Sequence, residues 1–276
     1  MMNKVMSILS TIAVAGLAAS ITLAAAPGGP PAGGPGGPGG PGGRGGFGGG
    51  GGFGCGRGGG GGRGNGGDVA PSTNPSAKSL SPVTTPSTQP DASVFITRWS
   101  ILEPISGVNG SGQNTLHPNA LKEYFPNQMT VIPKDGDTVS VNGQDLKWHQ
   151  LDTRNFNVNL VHFANDLGIN SANGAMFWVV TVINVPEEMK DVRLAIGSND
   201  GSVWWVNGQE ACGIYGDILT FPDDAVSKRL TLKKGANIIR GVIHNDRGQT
   251  DFCVRVLGAD DKPVTNYTIT LNNPNQ

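Results

Sequence analysis

The sequence contains few of the side chains on which catalysis and metal binding depend. Of its 276 residues only 4 are His and 3 are Cys, and charged residues make up 15%. The four histidines lie far apart and show neither the H-x-x-x-H nor the H-E-x-x-H spacing of zinc sites. Ser111 has glycine on both sides but lacks the G-x-S-x-G pattern of a hydrolase nucleophile. The common zinc-enzyme and serine-hydrolase motifs are therefore excluded, and no cofactor is expected.

An excess of charge of either sign is also missing. The 20 Lys and Arg residues nearly balance the 21 Asp and Glu residues, which gives a formal net charge of −1. Nucleic acids and anionic membranes attract strongly basic surfaces. The composition therefore excludes nucleic acid as an expected partner.

The first residues of the chain are typical of a secretory leader. Lys4 precedes an apolar run from Val5 to Leu23, and the small residues Ala24-Ala25-Ala26 follow it. This order of charge, apolar core and small residues predicts a signal peptide over residues 1–26. A retained membrane anchor is disfavoured because no basic cluster follows the run. We expect a secreted protein, extracellular or at the cell surface, without a membrane span after cleavage.

Two segments of unusual composition come next. Gly makes up 27 of the 41 residues from Pro27 to Gly67, so residues 27–67 bury too little apolar surface to offset their chain entropy. Residues 68–92 are rich in Ser, Thr and Pro, a composition typical of an extended linker. The sequence predicts a disordered Gly-rich spacer followed by a Ser/Thr/Pro linker.

Residues 93–272 have the pattern of an all-β domain, with a tail over 273–276. Short β-branched and aromatic runs alternate with turn residues, and Asn142-Gly143 and Asn207-Gly208 are typical of two-residue hairpin turns. Only 119–125 and 163–167 look helical, and 157–163 is predicted as a strand. Many short strands without βαβ alternation predict an antiparallel β-sandwich of the jelly-roll type.

Two motifs in this domain carry a family resemblance. Residues 197–208 read GSNDGSVWWVNG and residues 232–237 read LKKGAN; FITRW at 95–99 and DFCVR at 251–255 also fit. These motifs, in this order, resemble the galactose-binding-domain-like jelly-roll modules attached to acetyl xylan and other glycan esterases and to glycoside hydrolases. The resemblance implies a carbohydrate-binding domain that works beside a glycan-degrading enzyme.

Sugar binding needs an aromatic face and planar polar groups. Adjacent strand residues point to opposite faces, so Trp204 and Trp205 cannot both lie in one core, and the family pattern makes Trp205 the aromatic that recurs. Trp148 and His149, close to a turn, form the second candidate platform. The predicted carbohydrate-binding residues are Trp205, Trp148, His149, Glu210, Tyr215, Asp217, Asn245 and Arg247.

Two further sites are left open by the residue pattern. Oxygen-rich loop residues could hold a structural calcium ion, although Asn199 stands where the family often has Asp. The candidate calcium ligands are Asn199, Asp200, Asp223 and Asp224. Cys212 and Cys253 both fall in predicted strands, and export permits a disulfide between them as well as two buried thiols. Cys55 stands alone in the spacer.

The function expected from the sequence is a secreted, non-catalytic module that binds plant or microbial polysaccharide. Two alternatives stay open. Scattered acids could converge into the pair of a glycosidase or serve an esterase; they are Glu103, Glu210, Asp217, Asp223 and Asp251. The domain could also bind another protein as part of a surface or matrix structure.

Overall fold

The computed structural model describes residues 79–216 and 219–272. The predicted signal peptide, the Gly-rich spacer, Cys55, Asp217 and the tail lie outside the described residues. No helix among the described residues combines the length and the apolarity that crossing a membrane requires.

Strands dominate the described part of the chain. The strands are β1 (Leu80–Pro82), β2 (Arg98–Leu102), β3 (Ile105–Ser106), β4 (Thr138–Val141), β5 (Gln144–Thr153), β6 (Val158–Asn159), β7 (Ala175–Val185), β8 (Met189–Ser198), β9 (Gly201–Val206), β10 (Gln209–Ile214), β11 (Ala225–Val226), β12 (Leu230–Leu232), β13 (Gly235–Asn245), β14 (Asp251–Leu257) and β15 (Thr268–Thr270). The helices are α1 (Gln113–Leu121) and α2 (Leu160–Asp166).

The strands form two sheets, and every pairing between described strands is antiparallel. The large sheet runs β1-β5-β2-β7-β13-β9-β10, with β15 and β3 also on β7 and β4 on β5. The small sheet runs β11-β8-β14-β6, with β12 also on β8. The predicted all-β antiparallel sandwich is confirmed.

Both predicted hairpin turns are confirmed. Asn142 and Gly143 have φ of 51° and 81° between β4 and β5, and Asn207 and Gly208 have φ of 51° and 79° between β9 and β10. A turn with two left-handed residues matches the right-handed twist of the strands, and Asn and Gly tolerate it best. The second turn places Gln209 and Glu210 at the start of β10.

Three local predictions are wrong. Residues 157–163 form two residues of β6 and then α2, because the Asn159 side chain caps the helix by accepting the His162 N–H at 2.8 Å. The helix predicted over 119–125 lies earlier, at α1. The linker ends before residue 93, since Leu80 is buried and β1 pairs with β5. The folded domain therefore includes residues that the composition assigned to the linker.

The inner core lies between the two sheets. Trp99 packs edge-on against Trp204 and Phe252, with ring centroids 5.8 Å and 5.1 Å away. Both indole N–H groups have acceptors, since Trp99 donates to the Ile96 carbonyl and Trp204 to the Ser202 hydroxyl, each at 2.9 Å. Aromatic packing of this kind dominates the stability of a sandwich core.

An outer core lies on the other face of the large sheet. The connection between β3 and β4, residues 107–137, lies over this face and is called the cover segment. Its Leu116 and Phe125 pack on Trp148, Trp178 and Trp205, and all five side chains are buried. The large sheet is consequently apolar on both faces, which the alternation of residues along its strands could not reveal.

Candidate functional site

The predicted aromatic platforms are wrong in this structure. Trp205 is 3% exposed and stacks on Trp178 at 6.2 Å, and Trp148 is 0% exposed beside Phe125. Trp204 and Trp205 do point to opposite faces, but the cover segment closes the outer face as the small sheet closes the inner one. Neither predicted ring offers a face to a ligand.

The predicted sugar-binding residues that the structure describes do not come together in one site. Trp148 and His149 lie on β5, whereas Glu210 lies on β10, with β2, β7, β13 and β9 between these two strands. His149 is half-buried, pairs with Glu103 at 2.9 Å and packs on Phe163. These contacts stabilise the part of the large sheet that is farthest from Glu210.

A third group lies at the loops after β13. Asn245 is buried and its carbonyl accepts the Gly174 N–H at 2.8 Å, whereas Arg247 is exposed.

Tyr215 follows β10 and packs against the outer core. Burial, followed by the nearby charge of Glu210, raises the pKa of Tyr215.

One predicted residue, Glu210, lines a cleft, which we call the hairpin cleft. This cleft has a volume of about 490 Å³ and lies between β10 of the large sheet and the segment that includes β12. Its polar lining consists of Asn207, Gln209, Glu210, Lys228, Arg229, Thr231 and Lys233, and its apolar lining of Val206, Ala211 and Leu230. The cleft therefore lies between β10, at the edge of the large sheet, and β12, which pairs with β8 of the small sheet.

Two charged side chains of the cleft are held by partners outside it. Glu210 accepts from His117 of the cover segment, with 2.9 Å between Nε2 and Oε2, and 43% of the Glu210 side chain is exposed. Arg229 donates to the Asp191 carbonyl at 2.7 Å and to both carboxylate oxygens of Asp261. These contacts fix the direction of a carboxylate and a guanidinium at the cleft.

The two sequence motifs build the turn beside the cleft. Asn207 donates its amide to the Asn237 side-chain oxygen at 2.9 Å, and Asn237 in turn donates to the carbonyls of Lys233 and Gly235. The Lys233 N–H donates back to Asn237 Oδ1 at 2.9 Å. The W-x-N-G and L-K-x-G-x-N patterns thus encode one amide network, which positions Asn207 and Lys233 at the cleft.

A serine, an aspartate and a histidine meet at another end of the sandwich. Ser111 Oγ donates to Asp246 Oδ2 at 2.5 Å, and His244 Nδ1 lies 3.3 Å from Asp246 Oδ1. His244 is fully buried and its Nε2 lies 2.7 Å from the Val108 carbonyl. Because Asp246, and not His244, contacts the Ser111 hydroxyl, the order of contacts differs from the Ser-His-Asp arrangement of nucleophilic catalysis, in which the histidine contacts the serine. The cluster ties the cover segment to the β13–β14 loop.

The four predicted calcium ligands do not form one site. Asp223 forms a two-point ion pair with Arg255. Buried Asp200 accepts the Asp246 N–H at 2.8 Å and the Thr250 hydroxyl at 3.3 Å, while Asp224 is exposed. Within residues 79–216 and 219–272 no three His, Cys, Asp or Glu side chains are grouped to hold a metal. The four residues are therefore not grouped as a calcium site: Asp200 and Asp223 are held by partners within the fold, whereas Asp224 is exposed.

Cys212 and Cys253 are free thiols. Burial, and then the charge of Glu210, raises the pKa of Cys212 to about 12. Burial, and then the charges of Asp251 and Asp223, raises the pKa of Cys253 to about 12. Of the two possibilities left open by the sequence, the structure has separate thiols.

Several residues that the structure exposes carry no distinctive sequence pattern. Gln209, Lys228, Arg229 and Thr231 line the hairpin cleft, but single polar residues beside turns are common on any surface. Phe221, 56% exposed, is the most exposed of the described Phe, Tyr and Trp residues. Phe221 lies outside every predicted strand, and this position was the one feature of the sequence that could have indicated its exposure.

Comparisons with known proteins give only distant similarity. No protein-family model matches the sequence, and the comparison with curated proteins gives no match. A PA14 sugar-binding domain from an RTX adhesin is similar in structure, at 11% identity over 62% of this chain and 96% of that one, with a TM-score of 0.37. The PA14 domain of the antifreeze protein MpAFP is similar at 9% identity over 67% and 92%, with a TM-score of 0.36.

An enzyme also shares some of this similarity. The GH31 α-xylosidase from Xanthomonas citri is similar at 12% identity over 47% of this chain and 16% of that one, with a TM-score of 0.27. Likeness at these TM-scores establishes neither a common family nor a common ligand. The resemblance to galactose-binding-like modules stays a prediction.

Proposed function

We propose that this protein is a secreted, non-catalytic carbohydrate-binding module that holds plant or microbial polysaccharide in the hairpin cleft. The observation that carries the proposal is one cleft of about 490 Å³ that combines apolar side chains with planar hydrogen-bonding groups. Sites for small ligands typically have volumes of roughly 300–1,000 Å³ and a few well-placed polar groups. The family resemblance of residues 197–208 and 232–237 points to the same class of ligand.

The lining of the cleft suits the surface of a sugar. Each sugar hydroxyl both donates and accepts, and the amides of Asn207 and Gln209 also do both. The Glu210 carboxylate can accept from a sugar hydroxyl, and the Arg229 guanidinium, which is held by Asp191 and Asp261, adds a positive charge at the wall of the cleft. Val206 and Leu230 supply apolar surface for the C–H groups of the ring.

The cleft also explains why binding at one site is expected to be weak. None of the described residues that line it is aromatic, so a sugar ring would gain no stacking contact there. Small solvated ligands bury little area and gain little affinity from it. Several weak contacts along one polysaccharide would then supply the working affinity through a high effective concentration.

A binding role is favoured over hydrolysis by the acids of the cleft. Glycosidases place two carboxyl groups about 5–10 Å apart across the bond that is cleaved. Glu210 is the one acid among the described residues lining the hairpin cleft, and it is already paired with His117. The described lining therefore supplies no second carboxyl group to act with Glu210 in cleaving a glycosidic bond.

The test is affinity gel electrophoresis of the full chain against a panel of plant and microbial polysaccharides. We expect at least one neutral or acidic polysaccharide to retard the protein. Glu210→Gln and Gln209→Ala should each weaken the retardation about threefold to tenfold, because each removes a hydrogen-bonding group from the cleft.

The matched control is Asp145→Asn. Asp145 is exposed on β5, far from β10 in the large sheet, and its substitution removes the same charge as Glu210→Gln. Phe221→Ala separately tests an aromatic contact outside the cleft. Normal migration in every polysaccharide, or equal retardation of the Glu210→Gln and Asp145→Asn variants, would contradict the proposal.

A further inference from the structure

The strongest unexplained feature of the structure is a buried arginine on β13. Arg240 is 2% exposed, and its Nη2 donates to the Val131 carbonyl of the cover segment at 2.7 Å. Its Nη1 is buried with no hydrogen-bond partner among the described residues. Leaving a charged donor buried and unpaired costs free energy, so such a group calls for an acceptor.

The other fully buried arginine provides an internal comparison. Arg98 is 1% exposed and donates through Nε and Nη2 to both carboxylate oxygens of Asp152, and through Nη1 and Nη2 to Thr85. No ion pair with Arg240 occurs among the described residues. Burial alone lowers the pKa of Arg240 to about 10, with no acid nearby to oppose it. The fold thus provides a counter-charge for one buried guanidinium and not for the other.

Arg240 also lies at the wall of a second cleft. This cleft has a volume of about 330 Å³, and Thr130, Asn207, Lys233 and Arg240 are among the residues that line it. None of the described residues lining it is acidic, whereas two are cationic. A small anion would find two positive charges, a hydroxyl and an amide in one place.

The second cleft adjoins the hairpin cleft. Asn207 and Lys233 line both of them, on either side of the Asn207-Gly208 turn. The amide network between Asn207 and Asn237 fixes this boundary. A ligand that occupies the hairpin cleft could therefore extend a substituent into the second cleft.

We infer that the second cleft binds an oxyanion substituent of a glycan, a uronate carboxylate or a sulfate ester, through Arg240 and Lys233. The glycan part of this inference rests on the proposed function, and the anion part rests on the unpaired Arg240. The module is then selective for acidic polysaccharide, because a neutral chain brings no counter-charge to the Arg240 guanidinium.

The experiment compares matched acidic and neutral ligands by calorimetry with the full chain. The probes are polygalacturonate, its fully methyl-esterified form, a sulfated galactan and a neutral galactan. Polygalacturonate or the sulfated galactan should bind about tenfold more tightly than its neutral counterpart, and the preference should weaken with added salt. The polymer that binds identifies the source of the oxyanion.

Two variants assign the preference to the second cleft. Arg240→Gln should remove about tenfold of the affinity for the acidic polymer, and Lys233→Gln about threefold. Lys233 is exposed, so its substitution keeps the inference testable if Arg240→Gln does not fold. Lys147→Gln, an exposed charge on β5, is the control and should bind like the unaltered protein.

The outcomes separate this inference from the proposed function. Equal binding of acidic and neutral polymers, with sensitivity to Glu210→Gln, would overturn the anion site and leave carbohydrate binding intact. Failure of every polysaccharide, with free sulfate or acetate still raising the melting temperature in an Arg240-dependent way, would keep the anion site and overturn its glycan ligand. Failure of both measurements would overturn the inference altogether.

Discussion

The two faces of the large sheet are both buried, but they differ in whether their buried tryptophan N–H groups have hydrogen-bond acceptors. On the inner face, the indole N–H groups of Trp99 and Trp204 each have an acceptor at 2.9 Å. On the outer face, the indole nitrogens of Trp148 and Trp178 are buried with no hydrogen-bond partner among the described residues. The inner layer is a second sheet, whereas the outer layer is a connection with one short helix.

This difference bears on how the molecule opens. A buried donor without an acceptor costs about 1–3 kcal/mol, and irregular segments open at lower free energy than paired strands. The outer layer is therefore expected to loosen before the sandwich does. Arg240, whose Nη1 is also unpaired, lies on this same outer face beneath Val131. The proposed anion site thus lies on the face of the large sheet where buried donors lack hydrogen-bond partners.

The largest expected effect comes from a matched pair of tryptophan substitutions. Trp204→Phe removes a donor that is satisfied by Ser202, whereas Trp178→Phe removes one that has no acceptor. Both lose the same volume from a buried position. Trp204→Phe should lower the free energy of unfolding by about 1–3 kcal/mol more than Trp178→Phe does. Urea denaturation followed by circular dichroism measures the difference. Equal losses of stability would mean that the indole donors of the two faces do not differ in hydrogen bonding.

A smaller effect is expected where the cover segment begins. Asp246 accepts the N–H groups of Gly110 and Ser111 and the Ser111 hydroxyl. Burial by itself would raise its pKa, but these hydrogen bonds and neighbouring His244 hold the pKa below its ordinary value. Because the folded-state pKa is lowered, the carboxylate stabilises the fold above about pH 4, and the stabilisation is lost as the pH falls below that value.

Asp246→Asn tests this anchor. At pH 7 the variant should be about 1–2 kcal/mol less stable, since an amide cannot accept all three hydrogen bonds. The gap should close as the pH falls from 4 towards 2. Hydrogen exchange should rise first at residues 107–112, at the start of the cover segment. A constant stability gap across this pH range, or faster exchange throughout both sheets, would show that Asp246 does not act as a local anchor.

The sequence predicted the regular parts of this fold well. Asn-Gly pairs require left-handed backbone wherever they turn a hairpin, so both turns and the strands around them followed from local chemistry. The network of Asn207 and Asn237 was present in the sequence as two motifs, although its hydrogen bonds needed the structure.

The outer layer could not be predicted in the same way. Alternation along β9 correctly separates Trp204 from Trp205, but it does not say what covers each face. The cover segment is irregular and far from β9 in sequence, so its packing on Trp205 is a long-range contact without a local signal. The prediction of the site failed for the same reason. Trp148 and Trp205 were expected to be open, and of the predicted residues that the structure describes only Glu210 lines the hairpin cleft.

The smallest expected effect concerns the two thiols, one of which lies at the inner core and the other on the outer face of the small sheet. Cys212 packs at the margin of the inner core, and Cys253 lies beside Gly197 on the outer face of the small sheet. A pKa of about 12 for each leaves about one thiolate in ten thousand molecules at pH 8, and the thiolate is the reactive form.

In a Cys55→Ser background, iodoacetamide at pH 8 should therefore leave the native protein unlabelled for hours and label two thiols after denaturation. Mass spectrometry counts the labels, and the denatured, unreduced sample serves as the control. A native protein that labels rapidly would mean that burial does not protect these side chains, and a denatured sample that stays unlabelled until it is reduced would mean that they are bridged. Cys212, which is only half-buried, should be the first to react when the temperature is raised, because its exposure requires movement at the edge strand β10 alone.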